Sequence, residues 1–177
     1  MSPRLDRIDL STLGLAPGAG RRLDADVQIG ELEFGGERYS IDPDPVAVTL
    51  EVSRLSGTGF ALRVRFTAVL RGPCMRCLKD ARMPIEIEAR EVQAGTAAAA
   101  DPDDELSSPY VSDDVLDLGA WARDALVLGL PTKILCTEDC PGLCPVCAAD
   151  LSEVGVDHDH GEEPDPRWAK LRELRLD

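Results

Sequence analysis

Four of the six cysteines in this 177-residue chain fall within twelve residues, "CTEDCPGLCPVC" at 136–147, and the other two form "CMRC" at 74–77. The only histidines, His158 and His160, follow in "HDH". Two residues between cysteines let both sulfurs face one ion from a tight turn. His-x-His places two imidazoles on one side of an extended segment. Six thiols and two imidazoles complete two tetrahedral shells. Metal binding by Cys74, Cys77, Cys136, Cys140, Cys144, Cys147, His158 and His160 is therefore the strongest expectation, with zinc as cofactor, one ion or two. In a two-site arrangement Cys74, Cys77, Cys136 and Cys140 hold the first ion, and Cys144, Cys147, His158 and His160 the second. In a one-site arrangement the pairs 74/77 and 144/147 form a single ribbon. Spacing alone leaves both open.

Closed shells of this kind hold structure and leave no open position for chemistry. A zinc deaminase needs His-x-Glu ahead of Pro-Cys-x-x-Cys, whereas "HGE" at 160–162 follows the cysteines and Leu143 precedes Cys144. The alternative function is a thiol–disulfide redox protein, which needs a helix N-terminus to activate a Cys-x-x-Cys thiol. "LKDARMPIEI" after Cys77 leaves little room for one before Pro84. No apolar stretch follows the first arginines, and no run approaches the roughly 18–20 apolar residues of a membrane span. A cytoplasmic address with no membrane partner is expected, and thiols stay reduced there. No acid–base pair, nucleophile constellation or phosphate loop stands out, so no enzymatic activity is expected.

Aromatic residues make up only 4% of the chain, so its core must be aliphatic. The first 93 residues alternate with period two: Leu23, Ala25, Val27 and Ile29; then Val46, Val48, Leu50 and Val52; then Leu62, Val64, Phe66, Ala68 and Leu70. Such alternation predicts half-buried antiparallel strands. "SGTG" at 56–59 turns a hairpin, "MPIEIEAREV" is a further strand, and "CMRC" connects two strands. Residues 94–113, Ala-rich and then acidic, are expected to form a flexible linker or exposed loop. A helix is predicted within 112–131, capped by Asp114 or Asp117, with Leu118, Trp121, Ala122, Ala125 and Leu126 as its apolar stripe. "DPRWAKLREL" predicts a short C-terminal helix. The fold class is α+β: a strand-rich core over 1–93, a linker over 94–113, and over 114–177 a helix, a zinc knuckle and a terminal helix packing on the core.

Net charge is −14 and uneven, −1 over residues 1–93 and −13 over the rest. Residues 54–90 nevertheless carry a net +5. Arg63, Arg65 and Arg71 on one strand face, with Arg76 and Lys79 from the knuckle, form a candidate RNA-binding set. The bland alternative is a solvated strand face whose arginines pair with neighbours such as Glu51.

The stretches "CMRCL" (74–78), "LCTEDCPGLCPVCAADLSE" (135–153) and "DPRWAKL" (165–171) resemble the YceD family, and the resemblance extends over nearly the whole chain. Many members carry Gly where this chain has Ala148, Asn-Leu-Asn where it has "DLS", and Cys-x-Cys where it has His158-Asp159-His160. The last difference keeps a ligand pair and so favours two sites. The resemblance implies a role in 23S rRNA accumulation and assembly of the large ribosomal subunit, without an established catalytic mechanism. Two expected partners follow. One is rRNA or a pre-50S particle, met through the basic strand face. The other is a basic ribosomal protein, docked by the acidic half.

Overall fold

Strands β5 (Val46–Arg54) and β6 (Phe60–Pro73) bury alternate side chains, Val46 to Val52 on one and Phe60 to Leu70 on the other. In the computed structural model, which describes residues 5–56, 58–95, 107–155 and 157–161, these strands form the middle of an antiparallel sheet. β6 pairs along its whole length with β7 (Asp80–Gln93). Its other edge is shared end to end by β5 and β4 (Glu37–Asp42). β2 (Gly20–Val27) lies outside β5, and β3 (Leu32–Phe34) outside β4. The Asp44 carboxylate, in the break between β4 and β5, accepts from the backbone N–H groups of Ile29 and Gly30, both at 3.2 Å.

The apolar face of the sheet is covered by helix α1 (Leu118–Leu128) and by a small sheet of β1 (Arg7–Asp9), β9 (Val115–Asp117) and β8 (Val111–Ser112). The five residues of the predicted apolar stripe of α1 are all buried. Helix and sheet meet closely enough that a Cβ at Gly129 would overlap Ile87. Burial of these aliphatic side chains, at about 25 cal/mol per Å² of apolar surface, is the main force holding the layers together.

The mixed, mostly β architecture agrees with the expected class, and of the two candidate helix caps one is found; two details differ. The linker expected over 94–113 is shorter: within it Ser108 is buried, Tyr110 stacks on Trp121 and β8 is formed. Residues 96–106 of that segment, and the predicted helix over 165–174, lie outside the described residues. The helix cap is Asp117, whose carboxylate accepts from the Ala120 N–H at 2.9 Å. Asp114 serves elsewhere: with Asp113 it forms a two-residue turn between β8 and β9, both at positive φ, a conformation that Asp tolerates. Finally, the β3–β4 hairpin around Gly35–Gly36 went unread in the sequence.

Candidate metal centres

The β6–β7 turn is the first cysteine knuckle. The Cys74 N–H donates to the Lys79 carbonyl (2.7 Å) and the Leu78 N–H to the Cys74 carbonyl (2.9 Å). Leu78 closes the turn with φ +61°. The Arg76 N–H points at the Cys74 Sγ at 3.5 Å. The second knuckle repeats this construction. The Cys144 N–H donates to the Ala149 carbonyl (2.8 Å) and the Ala148 N–H to the Cys144 carbonyl (2.9 Å), with Ala148 at φ +57° and the Val146 N–H 3.4 Å from the Cys144 Sγ.

All eight predicted ligands fall into two clusters: Cys74, Cys77, Cys136 and Cys140 in one, and Cys144, Cys147, His158 and His160 in the other. Within each, the ligand atoms lie within 4.8 Å of one another. This is the two-site pairing; the single ribbon joining 74/77 to 144/147 does not form. Cys74 and Cys140 sulfurs are 3.7 Å apart, and those of Cys77 and Cys136 3.5 Å. A tetrahedral ion with sulfur bonds near 2.3 Å sets its sulfurs roughly 3.8 Å apart. In the second cluster the Cys147 Sγ is 3.3 Å from the His158 Nε2, itself 2.9 Å from the His160 Nε2. All six cysteines are free of disulfides.

The electrostatics fit a cation. Burial opposes ionisation of Cys74, but N–H groups of Arg76, Cys77 and Cys136 outweigh it and bring the thiol down to about 6. N–H groups of Cys147 and Val146 bring Cys144 to about 6 as well. Burial, with Cys77 and Cys136 alongside, pushes Cys140 up to about 12. Four sulfurs this close cannot all be anionic by themselves, and a divalent ion would remove that conflict. The donor sets fit zinc in both clusters.

The clusters differ in setting. The first lies on the main core, with Cys74, Cys77 and Cys140 buried. Tyr39 supports it: its ring lies over Gly72 and its hydroxyl donates to the Pro73 carbonyl at 3.0 Å. The second is held to the first by short links. The Leu143 N–H donates to the Arg76 carbonyl (3.2 Å), while Arg76 Nη1 braces the first cluster itself by donating to the Cys140 carbonyl (2.6 Å). Gly142, at φ +85°, passes so near that a Cβ would stand 3.2 Å from the Arg76 oxygen. Lys79 reaches Asp150 at 2.6 Å and Glu153 at 2.9 Å. Asp150 also caps the short helix α2 (Leu151–Val154). Asp150 and Glu153 were not singled out in the sequence, since nothing local marks them as partners of Lys79.

The three strand arginines of the candidate RNA-binding set each have a carboxylate partner. Arg63 pairs with Glu88 (2.6 Å) and Glu51 (3.6 Å), Arg65 with Glu51 (2.5 Å), and Arg71 with Asp42. The Arg63 guanidinium holds the Glu88 carboxyl below its usual range. The Arg76 side chain instead bonds the Cys140 carbonyl within the first cluster, and Lys79 reaches Asp150 beside the second. The redox alternative finds its Cys74–Cys77 pair on a strand-to-strand turn, not at a helix N-terminus.

Fold and clusters together define a strand-rich α+β protein bearing one four-cysteine cluster and one cluster of two cysteines and two histidines. The chain belongs to the YceD family: residues 62–175 match the family model described as large ribosomal RNA subunit accumulation protein YceD. Membership implies a role in the accumulation of large-subunit ribosomal RNA. The chain is 36% identical over 172 residues to an uncharacterized protein of Mycobacterium tuberculosis, covering 94% of this chain and 80% of the relative. A Mycobacterium leprae relative is 30% identical, covering 94% and 76%. The uncharacterized protein YlbN of Bacillus subtilis is 29% identical over 58% of each chain. No solved structure gives a significant match. Among the described residues, no helix is long and apolar enough to cross a membrane.

Proposed function

We propose that the protein is a non-catalytic, cytoplasmic adaptor, stapled by two zinc ions, that supports large-subunit rRNA accumulation by docking a basic ribosomal protein. When bound, zinc would cross-link the β6–β7 turn to the post-helix loop and offer no open position to a substrate. The observation that carries the docking reading is the pairing of Arg63, Arg65 and Arg71 with Glu51, Glu88 and Asp42. Arginines already matched by carboxylates release few counterions on meeting a phosphate backbone. The chain's −14 charge suits a cationic partner. Direct rRNA contact is the second reading, favoured by a cavity of about 330 Å³ on the sheet, lined by Arg38, Arg71 and Arg82 with Ser40, Glu31 and Asp80. Arg38 and Arg82 have no carboxylate within ion-pair distance among the described residues. Titrating the protein against purified basic large-subunit proteins and against 23S rRNA fragments, across a salt series, separates the two. Binding confined to rRNA rejects the adaptor.

A further inference from the structure

We infer that the first knuckle presents a docking groove for a basic protein segment bearing an apolar anchor. The inference rests on the adaptor reading and names its contact surface. A cavity of about 370 Å³ opens beside the Cys74–Cys77 turn, lined by Phe34 and Glu37 of the β3–β4 hairpin, Tyr39, Pro73, and the knuckle's own Met75 and Leu78. That volume is at the small end of the range for ligand cavities, about 300–1,000 Å³, and suits one or two anchoring side chains.

Leu78 is the informative residue. It occupies the left-handed backbone region, where a side chain with a Cβ is strained and Gly or Asn is at ease. It is also 61% exposed, so the side chain gains little from burial in the free protein. Neither backbone nor core benefits from leucine here. An apolar side chain kept at a strained and solvated position is explained by contact with something outside the fold. Met75, 48% exposed, stands next to it. Its Sδ accepts from the Ile134 N–H at 3.4 Å, and its own N–H donates to the Ile134 carbonyl at 2.9 Å. A thioether is suited to adaptable apolar contact, and here it is held in place before any partner arrives.

Charge selects the occupant. Among the described residues, Glu37 is the only charged one lining the groove, and no lysine or arginine does so. A phosphate backbone meets no counter-charge there. A cationic protein segment meets a carboxylate beside an apolar floor.

The test uses the full-length, metal-replete protein titrated against individually purified basic large-subunit ribosomal proteins, with a 23S rRNA fragment in parallel. Leu78→Asn relaxes the backbone while removing the apolar contact. It is expected to keep or raise the melting temperature and to weaken binding about tenfold, as for one anchor residue. Met75→Gln is expected to weaken binding similarly, and Glu37→Gln to flatten its salt dependence. If the wild type binds a basic protein and neither L78N nor M75Q weakens it, the groove is overturned and the adaptor reading stands. If the wild type binds none of these proteins, or only the rRNA, both fall. Should L78N fail to fold, the strain argument is overturned.

Discussion

The sulfurs of Cys77 and Cys136 lie 3.5 Å apart although 59 positions separate them in sequence. One belongs to the turn of the longest hairpin, the other to the loop behind α1. The first cluster thus ties the two halves of the chain together on the main core. The second hangs from the first through the Arg76 backbone, Gly142, Leu143 and Lys79.

This dependence sets the metal count. Elemental analysis of chelator-free protein is expected to give two zinc ions per chain, one for each cluster. His158→Ala with His160→Ala should leave one. Cys74→Ser with Cys77→Ser should lower occupancy at both sites, because it loosens the turn on which the second is mounted. Full retention of the second ion in that variant would show the sites to be independent.

Ala148 closes the second knuckle at φ +57°. Ala148→Gly relieves a left-handed strain of about 1–2 kcal/mol, partly offset by the extra freedom of glycine in the unfolded chain. Equilibrium denaturation with metal at saturation is expected to show a gain of about 0.5–1 kcal/mol, and a loss would contradict the turn geometry.

Gly72 faces the Tyr39 ring, which a Cβ would overlap. Gly72→Ala is expected to cost about 1–3 kcal/mol through overpacking. It should also displace the Tyr39 hydroxyl from the Pro73 carbonyl next to Cys74. Chemical denaturation reads the first effect, and faster zinc release to a chelator the second.

Acid should act in two stages. Cys74 and Cys144 sit below the ordinary thiol value, at about 6. A bound ion competes with protons for these sulfurs, so their contribution to the metal-bound fold holds at higher pH and is lost only as pH falls below about 6. Asp150 is held at about 2 by Lys79 and Ser152, so its stabilisation, complete above its unfolded value of 3.8, goes only as pH falls through about 2. Lys79 is shifted upward by Asp150 and Glu153, so its contribution is present below 10.5 and goes as pH rises past the raised value. Metal release below about pH 6, with no loss of the Lys79–Asp150 contact ahead of it by NMR, is the expected sequence. Loss of that contact before the metal would reverse it.

Replacing Arg63, Arg65 and Arg71 with Gln is expected to leave rRNA affinity and its salt slope unchanged, since each is already paired. Electrophoretic mobility shifts over a salt series measure this. A flatter slope would restore the strand face as an RNA surface.

What could be read from the chain was whatever depends on neighbours in sequence. Alternation from Val46 to Val52 and from Leu62 to Leu70 marks the sheet, and the 3–4 spacing from Leu118 to Leu126 marks α1; all of these residues are buried except the outward-facing ones between them. The eight ligands were legible for the same reason, because knuckle spacing is local. Their pairing was not, since Cys136 reaches Cys77 only through the packing of α1 on β7. The partners of the arginines were not legible in full because a carboxylate partner is chosen by register: Glu88 lies directly opposite Arg65 yet bonds Arg63 on the diagonal. Lys79 was read as a phosphate contact, and its partners Asp150 and Glu153 lie 71 and 74 positions downstream.

The pairing of β6 with β7 through the Cys74–Cys77 turn also sets an order in time. Both arms of this hairpin and half of the first ligand set lie within residues 60–93, so they are synthesised well before Cys136 and Cys140. Local contacts close faster than distant ones, and a chain made from its N-terminus completes this hairpin first. The early turn is a two-sulfur receptor waiting for the remaining ligands. Metal scarcity during synthesis would consequently leave a formed hairpin and an unanchored downstream segment, so zinc supply acts on the yield of finished molecules as well as on their endurance.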